Sequence, residues 1–218
     1  MHLIHRGIVN KKYKENLLKS FKYSFSKGYG IETDINATKD DKFICFHDFT
    51  LKRIFKKNIS IKNTNYSKIE EISTKLNRPV PLLKELLKSS KNSYPLFIEI
   101  KPTFSKSLLK KLLKETSKYT KCVFISFKHK NIYNLLKIKK NTKVGLSFAP
   151  LTSIKKIIKL SNNNNNNNNN INCLILDKSY LKNMNIQNLK IEKYFYTIKS
   201  KSEFKKLKKN NNLIFENL

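Results

Sequence analysis

The chain has 218 residues and a formal charge of +31, with 46 lysines and arginines against 15 acids and a hydrophobic share of 39%. That length buries one sizeable core and fits a single domain over residues 1–218, and the apolar share is low but globular. No apolar run approaches the roughly 18 residues of a membrane span, and strand-like HLIH at residues 2–5 argues against a signal peptide.

The charge raises the question of nucleic acid, but its detail argues against such a partner. Only Arg6, Arg53 and Arg78 are arginine, whereas phosphate- and base-reading surfaces also draw on arginine's fork. The lysines are spread over nearly every predicted helix, and a compositional drift toward Lys, Asn and Ile accounts for them. The charge still favours anionic substrates at short range. Cys45, Cys122 and Cys173 are odd in number and scattered, which argues against a disulfide framework or zinc site and fits a reducing cytoplasm.

In chain order, residues 3–6 read as a first strand closed by Gly7. Residues 15–27 place Leu17, Leu18, Phe21 and Phe25 at helical spacing, ended by Gly28. Residues 30–48, GIETDINATKDDKFICFHD, read as a hairpin. Glu32, Asp34 and Asn36 share one face of its first strand, residues 39–42 turn, and residues 43–47 return. Phe43, Cys45 and His47 then share a face, with His47 roughly opposite Asp34. Residues 49–80 read as a polar, irregular excursion over the barrel mouth, with a helical turn near 67–76. A helix over 80–90 follows, apolar at Leu82, Leu83, Leu86 and Leu87.

From there strands and helices alternate. Strands are predicted at 96–101, 122–127, 144–148, 173–176, 194–198 and 213–215, with helices at 105–118, 129–139, 152–160 and 202–209. An amphipathic turn or two separates the strands at 173–176 and 194–198. Residues 162–170 are an asparagine run, read as a disordered loop. Leaving the hairpin's outer strand aside, eight strands separated mostly by helices imply an α/β fold. The reading is a slightly short (β/α)₈ TIM barrel with a β-hairpin extension after strand 2. An open doubly wound sheet is the rival, and it would usually show a Gly-rich first turn that is absent here. In the barrel the asparagine run falls between a helix and the next strand, on the face away from the site.

The polar side chains at the strand ends are His5 and Arg6, then Glu32 and Asp34, then Glu99 and Lys101, with His47 on the hairpin. Each has an ordinary explanation when taken alone: a partly buried histidine, a solvated acidic face, a structural ion pair between Glu99 and Lys101. Together they sit on the inward parity at carboxyl ends. Three inward carboxylates repel one another unless a cation joins them, and all-oxygen ligation suits Mg²⁺ or Ca²⁺. Two imidazoles supply base and acid, and Arg6 and Lys101 suit an anion. The set describes cleavage of a phosphodiester.

HRG at 5–7, EN at 15–16, IETD with the following TKD, HD at 47–48 and EIK at 99–101 resemble, in order and spacing, the glycerophosphodiester phosphodiesterase family. RPVPLLKEL before the third barrel strand, ISF at 125–127 and YTIK at 196–199 extend the resemblance over nearly the whole chain. It implies a TIM-barrel enzyme that hydrolyses glycerophosphodiesters to an alcohol and glycerol 3-phosphate. By the same resemblance His5 and His47 form the acid/base pair, Glu32, Asp34 and Glu99 bind a divalent cation, and Arg6 and Lys101 hold the phosphate. Glu15, Asn16 and Tyr196 are candidates for substrate contact, Glu15 and Asn16 equally for a helix start. Attack by the substrate's 2-hydroxyl, then opening of a cyclic phosphate by water, is the implied course. The chain departs from the family's usual Gly at Asp41, Thr at Leu82 and Trp at Tyr196, and reads IFENL where a Thr-Asp pair is common. The expected partner is a small glycerophosphodiester, and the chain is read as a monomer or weak dimer. The rivals are a lysophospholipase D-like phosphodiesterase at a membrane surface and a non-enzymatic basic binder of anions or nucleic acid.

Overall fold

In this computed structural model residues 1–166 and 170–216 are described, those at 163–166 by their backbone alone. In chain order the elements are β1 (His2–His5), α1 (Leu18–Ser26), β2 (Gly30–Ala37), β3 (Phe43–Cys45), α2 (Lys52–Phe55), α3 (Tyr66–Lys75), α4 (Leu83–Ser90), β4 (Leu96–Ile100), α5 (Lys106–Glu115) and β5 (Cys122–Ser126). They continue with α6 (His129–Ile138), β6 (Val144–Phe148), α7 (Ile154–Asn166), β7 (Cys173–Asp177), a 3₁₀ turn, α8 (Met184–Gln187), β8 (Glu192–Ile198), α9 (Lys201–Leu207) and β9 (Asn212–Phe215). Eight strands pair in parallel around a ring, which closes because β1 pairs with both β9 and β2. β3 lies outside the ring, antiparallel to β2. The expected (β/α)₈ TIM barrel with a hairpin extension is the observed fold.

Alternation along each strand divides its side chains between two cores. Leu3, Phe97, Ile125, Ile175, Tyr194 and Ile214 fill the barrel interior, with the Phe97 and Tyr194 rings 4.6 Å apart. Their neighbours in the chain, such as Ile4, Ile98 and Leu174, face outward against Phe21, Leu86, Leu109 and Leu135 of the helices. The helices' apolar residues thus seal the barrel's outer face while their lysines stay in water.

Two segments differ from the sequence reading. The stretch over 49–80 is not merely a polar excursion: Leu51, Phe55, Ile61, Tyr66, Ile69 and Ile72 bury themselves with Ile44 and Phe46 in a core of their own. α3 stands where a helical turn is expected, and irregular spacing among polar residues hides the rest of the cluster. The expected loop over 162–170 is corrected at 162–166, because α7 runs on through Asn166. Propagating an existing helix gains a hydrogen bond per residue, which outweighs asparagine's mild preference for turns. The remainder of that call, at 167–169, lies outside the described residues. Ser161 and Asn162 border a cleft with Asn172, Ile191 and Glu192, at the amino ends of β7 and β8, so the run does begin on the face away from the strand carboxyl ends.

Phe97→Ala, emptying a fully buried ring position inside the barrel, is expected to cost about 3–5 kcal/mol. Urea unfolding measures it, and an unchanged midpoint would contradict a packed interior.

Candidate active site

Strand register brings the acids together. His5 lies beside Glu32 across β1 and β2, and Asp34 beside Glu99 across β2 and β4. Side chains in register point the same way, roughly 4.8 Å apart, and here that way is inward at the carboxyl end. Glu32, Asp34 and Glu99 are 3%, 0% and 8% exposed, and each offers a carboxylate oxygen within 4.8 Å of the others. Two cations answer them. Arg6 Nε lies 3.0 Å from Asp34 Oδ2, an ion pair not aligned as a hydrogen bond. Lys101 Nζ lies 2.9 Å from Glu99 Oε1 and 3.6 Å from Asp34 Oδ1.

The compensation is uneven. Burial raises the Asp34 carboxyl, but Arg6, Lys101 and the two histidines outweigh it and hold the group below its usual range. Burial, then Asp34 and Glu99, push Glu32 well above its usual range. Burial and Asp34 push Glu99 up to about 7 against the pull of Lys101. Glu32 Oε2 and Asp34 Oδ1 are buried without a hydrogen-bond partner. Unsatisfied, mutually repelling oxygens of hard character fit a Mg²⁺- or Ca²⁺-sized ion.

Each histidine is tied by its Nδ1 to a carboxylate. His5 Nδ1 lies 2.6 Å from Glu216 Oε1, just past β9, and its Nε2 is 3.8 Å from Glu32. His47 Nδ1 lies 2.6 Å from Asp48 Oδ1, and Asp48 Oδ2 accepts from Arg53 Nε at 2.6 Å. Burial lowers His47 despite the attraction of Asp34. The expected position of His47 is off by one residue: Cys45 pairs with Ile35, and Phe46 N donates to Asp34 O. β3 ends at Cys45, so His47 escapes strand alternation, and it reaches the cavity from the following turn. Asn36 Nδ2 clamps that turn by donating to Phe46 O and Asp48 O.

His5, Arg6, Glu32, His47, Glu99, Lys101 and Tyr196 line one cavity of about 200 Å³, with Phe127, Ser147 and Thr197. Asp34 lies beneath it, held by Arg6, Lys101 and Asn16. A register shift in β8 lets consecutive Tyr196 and Thr197 both reach the wall, and Tyr196 Oη donates to Phe148 O. Glu15 and Asn16 are not on that wall. Asn16 is buried, donates to Asp34 Oδ2 and accepts from Thr33 Oγ1. Glu15 bridges Arg6 and Arg53, and α1 begins only at Leu18, so neither residue starts the helix.

Gly7 explains itself: at φ +75 a Cβ there would meet Ser20 Oγ at 2.4 Å. That tight turn places Arg6 over Asp34. The sequence reading missed Glu216, Asp48's tether and Arg53. An acid directly past the last barrel strand was the available sign for Glu216.

The profile of the Glycerophosphoryl diester phosphodiesterase family matches residues 5–211. The chain belongs to this family. Lysophospholipase D GDPD1 of Homo sapiens is 28% identical over 134 residues, 55% of this chain and 42% of that protein. The Mus musculus protein of the same name is 27% identical over 132 residues, 54% of this chain and 41% of that one. The match thus spans less than half the length of these relatives. A Thermotoga maritima glycerophosphodiester phosphodiesterase superposes with TM-score 0.79 at 23% identity, covering 98% of this chain and 92% of that one. An Oleispira antarctica phosphodiesterase solved with the product sn-glycerol-3-phosphate gives 0.81 at 17% identity, covering 98% and 91%. At these identities the two structures establish a shared fold. Within the glycerophosphoryl diester phosphodiesterase barrel, the site lies at the carboxyl ends of the strands, where this architecture carries its chemistry.

Glu32 and Glu99, raised by burial and like charge, favour folding while protonated, and the Glu99 contribution is lost as pH rises through about 7, with Glu32 also held well above its usual range. Protons also compete with a cation there. The rise in melting temperature on adding Mg²⁺ or Ca²⁺ is therefore expected to be larger near pH 8 than near pH 5.5, roughly following that competition. Equal shifts at both would take the ion away from these acids.

Proposed function

We propose that this chain hydrolyses glycerophosphodiesters to an alcohol and glycerol 3-phosphate, with His5 and His47 as the acid/base pair and a divalent cation at Glu32, Asp34 and Glu99. The reading rests above all on two carboxylate-tethered imidazoles, three buried acids and two cations bordering one small cavity, in a chain of this family. Arg6 and Lys101 receive the phosphate. Glu15 and Asn16 act through Arg6 and Asp34, whereas Tyr196 bounds the substrate directly. When bound, the cation neutralises the carboxylates and stabilises negative charge on the phosphoryl oxygens.

An imidazole whose Nδ1–H donates to a carboxylate keeps Nε2 bare as a base. One histidine removes the proton of the glycerol 2-hydroxyl as that oxygen bonds to phosphorus. The other, protonated, gives its proton to the departing alcohol oxygen as the bond from phosphorus to it breaks. Water then opens the cyclic phosphate with the roles reversed, returning both histidines to their starting states. His47, lowered by burial, suits the base of the first step.

Three free, buried cysteines support a reducing compartment, here the cytoplasm, and the chain is read as a monomer or loose dimer. No helix among the described residues is long and apolar enough to cross a membrane. A second reading, release of the head group from lysophospholipids, is favoured by the activity in the names of the GDPD1 relatives.

Incubation with glycerophosphocholine, glycerophosphoethanolamine or lysophosphatidylcholine, with and without Mg²⁺ or Ca²⁺, separates these readings by the product released. Chelation is expected to abolish turnover. His5→Ala and His47→Ala are each expected to lose at least ~10²-fold in kcat with the fold intact, and near-normal turnover in either would sink the acid/base assignment. Glu216→Gln keeps the size but not the charge of the His5 tether and is expected to lower kcat about tenfold or more with KM little changed. A loss confined to KM would make Glu216 a substrate contact instead.

A further inference from the structure

Large apolar side chains left in water are unevenly placed on this molecule. Among the described residues they are Met1, Phe49, Leu76, Phe127, Leu151 and Met184. Phe127 and Leu151 follow the carboxyl ends of β5 and β6, on the side where the cavity opens. Phe49 lies two residues past His47 of the cavity wall, and Met184 opens α8 after β7 and the 3₁₀ turn. β5, β6 and β7 are consecutive in the ring, so their loops form one arc of the rim.

Leu151 is the sharpest case. It is 99% exposed and has φ 66, a left-handed conformation that leucine disfavours. The turn around it is braced, since Tyr180 Oη, just past β7, donates to Thr152 O at 2.7 Å. Neither backbone preference nor the folded core selects a leucine here.

Exposed lysines stand among these tips: Lys52 after Phe49, Lys128 after Phe127, Lys155 after Leu151 and Lys182 before Met184. The acids of the same segments are engaged, Asp48 by Arg53 and Asp177 by the Ser179 amide. Apolar tips interleaved with lysines match an interface with acyl chains below and anionic headgroups above.

We propose that the rim of the barrel mouth docks on an anionic bilayer surface, with Leu151, Met184 and Phe49 entering the headgroup boundary. Docked this way, the cavity opens onto the headgroups. What enters the cavity rests on the phosphodiesterase reading, whereas the docking is read without turnover. A nucleic acid would be held by the lysines but would make no use of the apolar tips.

The test is flotation of the full chain with vesicles of phosphatidylcholine alone or mixed with phosphatidylserine. The comparison is with Leu151→Ser and with the triple variant Phe49→Ser, Leu151→Ser, Met184→Ser. The native chain is expected to float with the mixed vesicles, and the triple variant to bind them at least ~10-fold more weakly. Leu151→Ser is expected between the two, with the melting temperature and any turnover of water-soluble glycerophosphocholine unchanged in both variants. A native chain that does not float, or a triple variant that floats as well as the native one, would overturn the proposal. In the latter case charge alone binds, as it would any polyanion. Absence of turnover in every form would remove the phosphodiesterase reading and leave the docking to be decided by flotation.

Discussion

Three carboxylates buried at one end of a sheet repel each other and lose hydration, and the rest of the site is arranged around that constraint. Asp34 and Glu99 are register neighbours, and Glu32 lies two residues before Asp34 on the same face. Arg6 and Lys101 relieve Asp34 most, because both reach it. Glu32 and Glu99 remain undercompensated, with their carboxyls raised. With all three acids ionised, two cations would leave one negative charge, which a divalent ion would reverse. The tight turn at Gly7 and the buried amide of Asn16 hold Arg6 and Asp34 in place.

The two imidazoles depend on different parts of the architecture. His5 is oriented by Glu216, which reaches it because β9 closes the ring against β1. His47 is oriented by Asp48, which Arg53 holds from α2, and Glu15 joins that chain to Arg6. The separate core beneath residues 49–80 therefore has a purpose in the site: it fixes the segment that carries one of its two histidines. Ring closure and excursion are both needed for the pair to face one cavity.

The lysine-rich composition is tolerated because a barrel needs only its strands and one stripe of each helix to be apolar. Its two ends differ. At the amino ends of the strands the asparagine run begins, and α7 continues through Asn166. At the carboxyl ends strand residues and the segments after them line the cavity, and the loops there carry exposed apolar residues such as Phe127 and Leu151.

Local sequence was enough for the barrel strands and most of the helices between them, since alternation and helical spacing are short-range properties. It also marked the acids of β2 and β4, whose inward parity follows from counting along one strand. Asp41, standing where a glycine is usual in this family, adopts φ 56, the backbone the glycine would have supplied. His47 shows where such counting stops, because β3 ends two residues early and the chain turns instead of alternating. The pairing of Glu216 with His5 and the core under residues 49–80 were illegible for another reason: the partners are distant in the chain, and only closure of the ring and packing over its mouth bring them together. Period and parity are set by neighbouring residues, whereas register, closure and the charge each buried group meets are set by the whole fold.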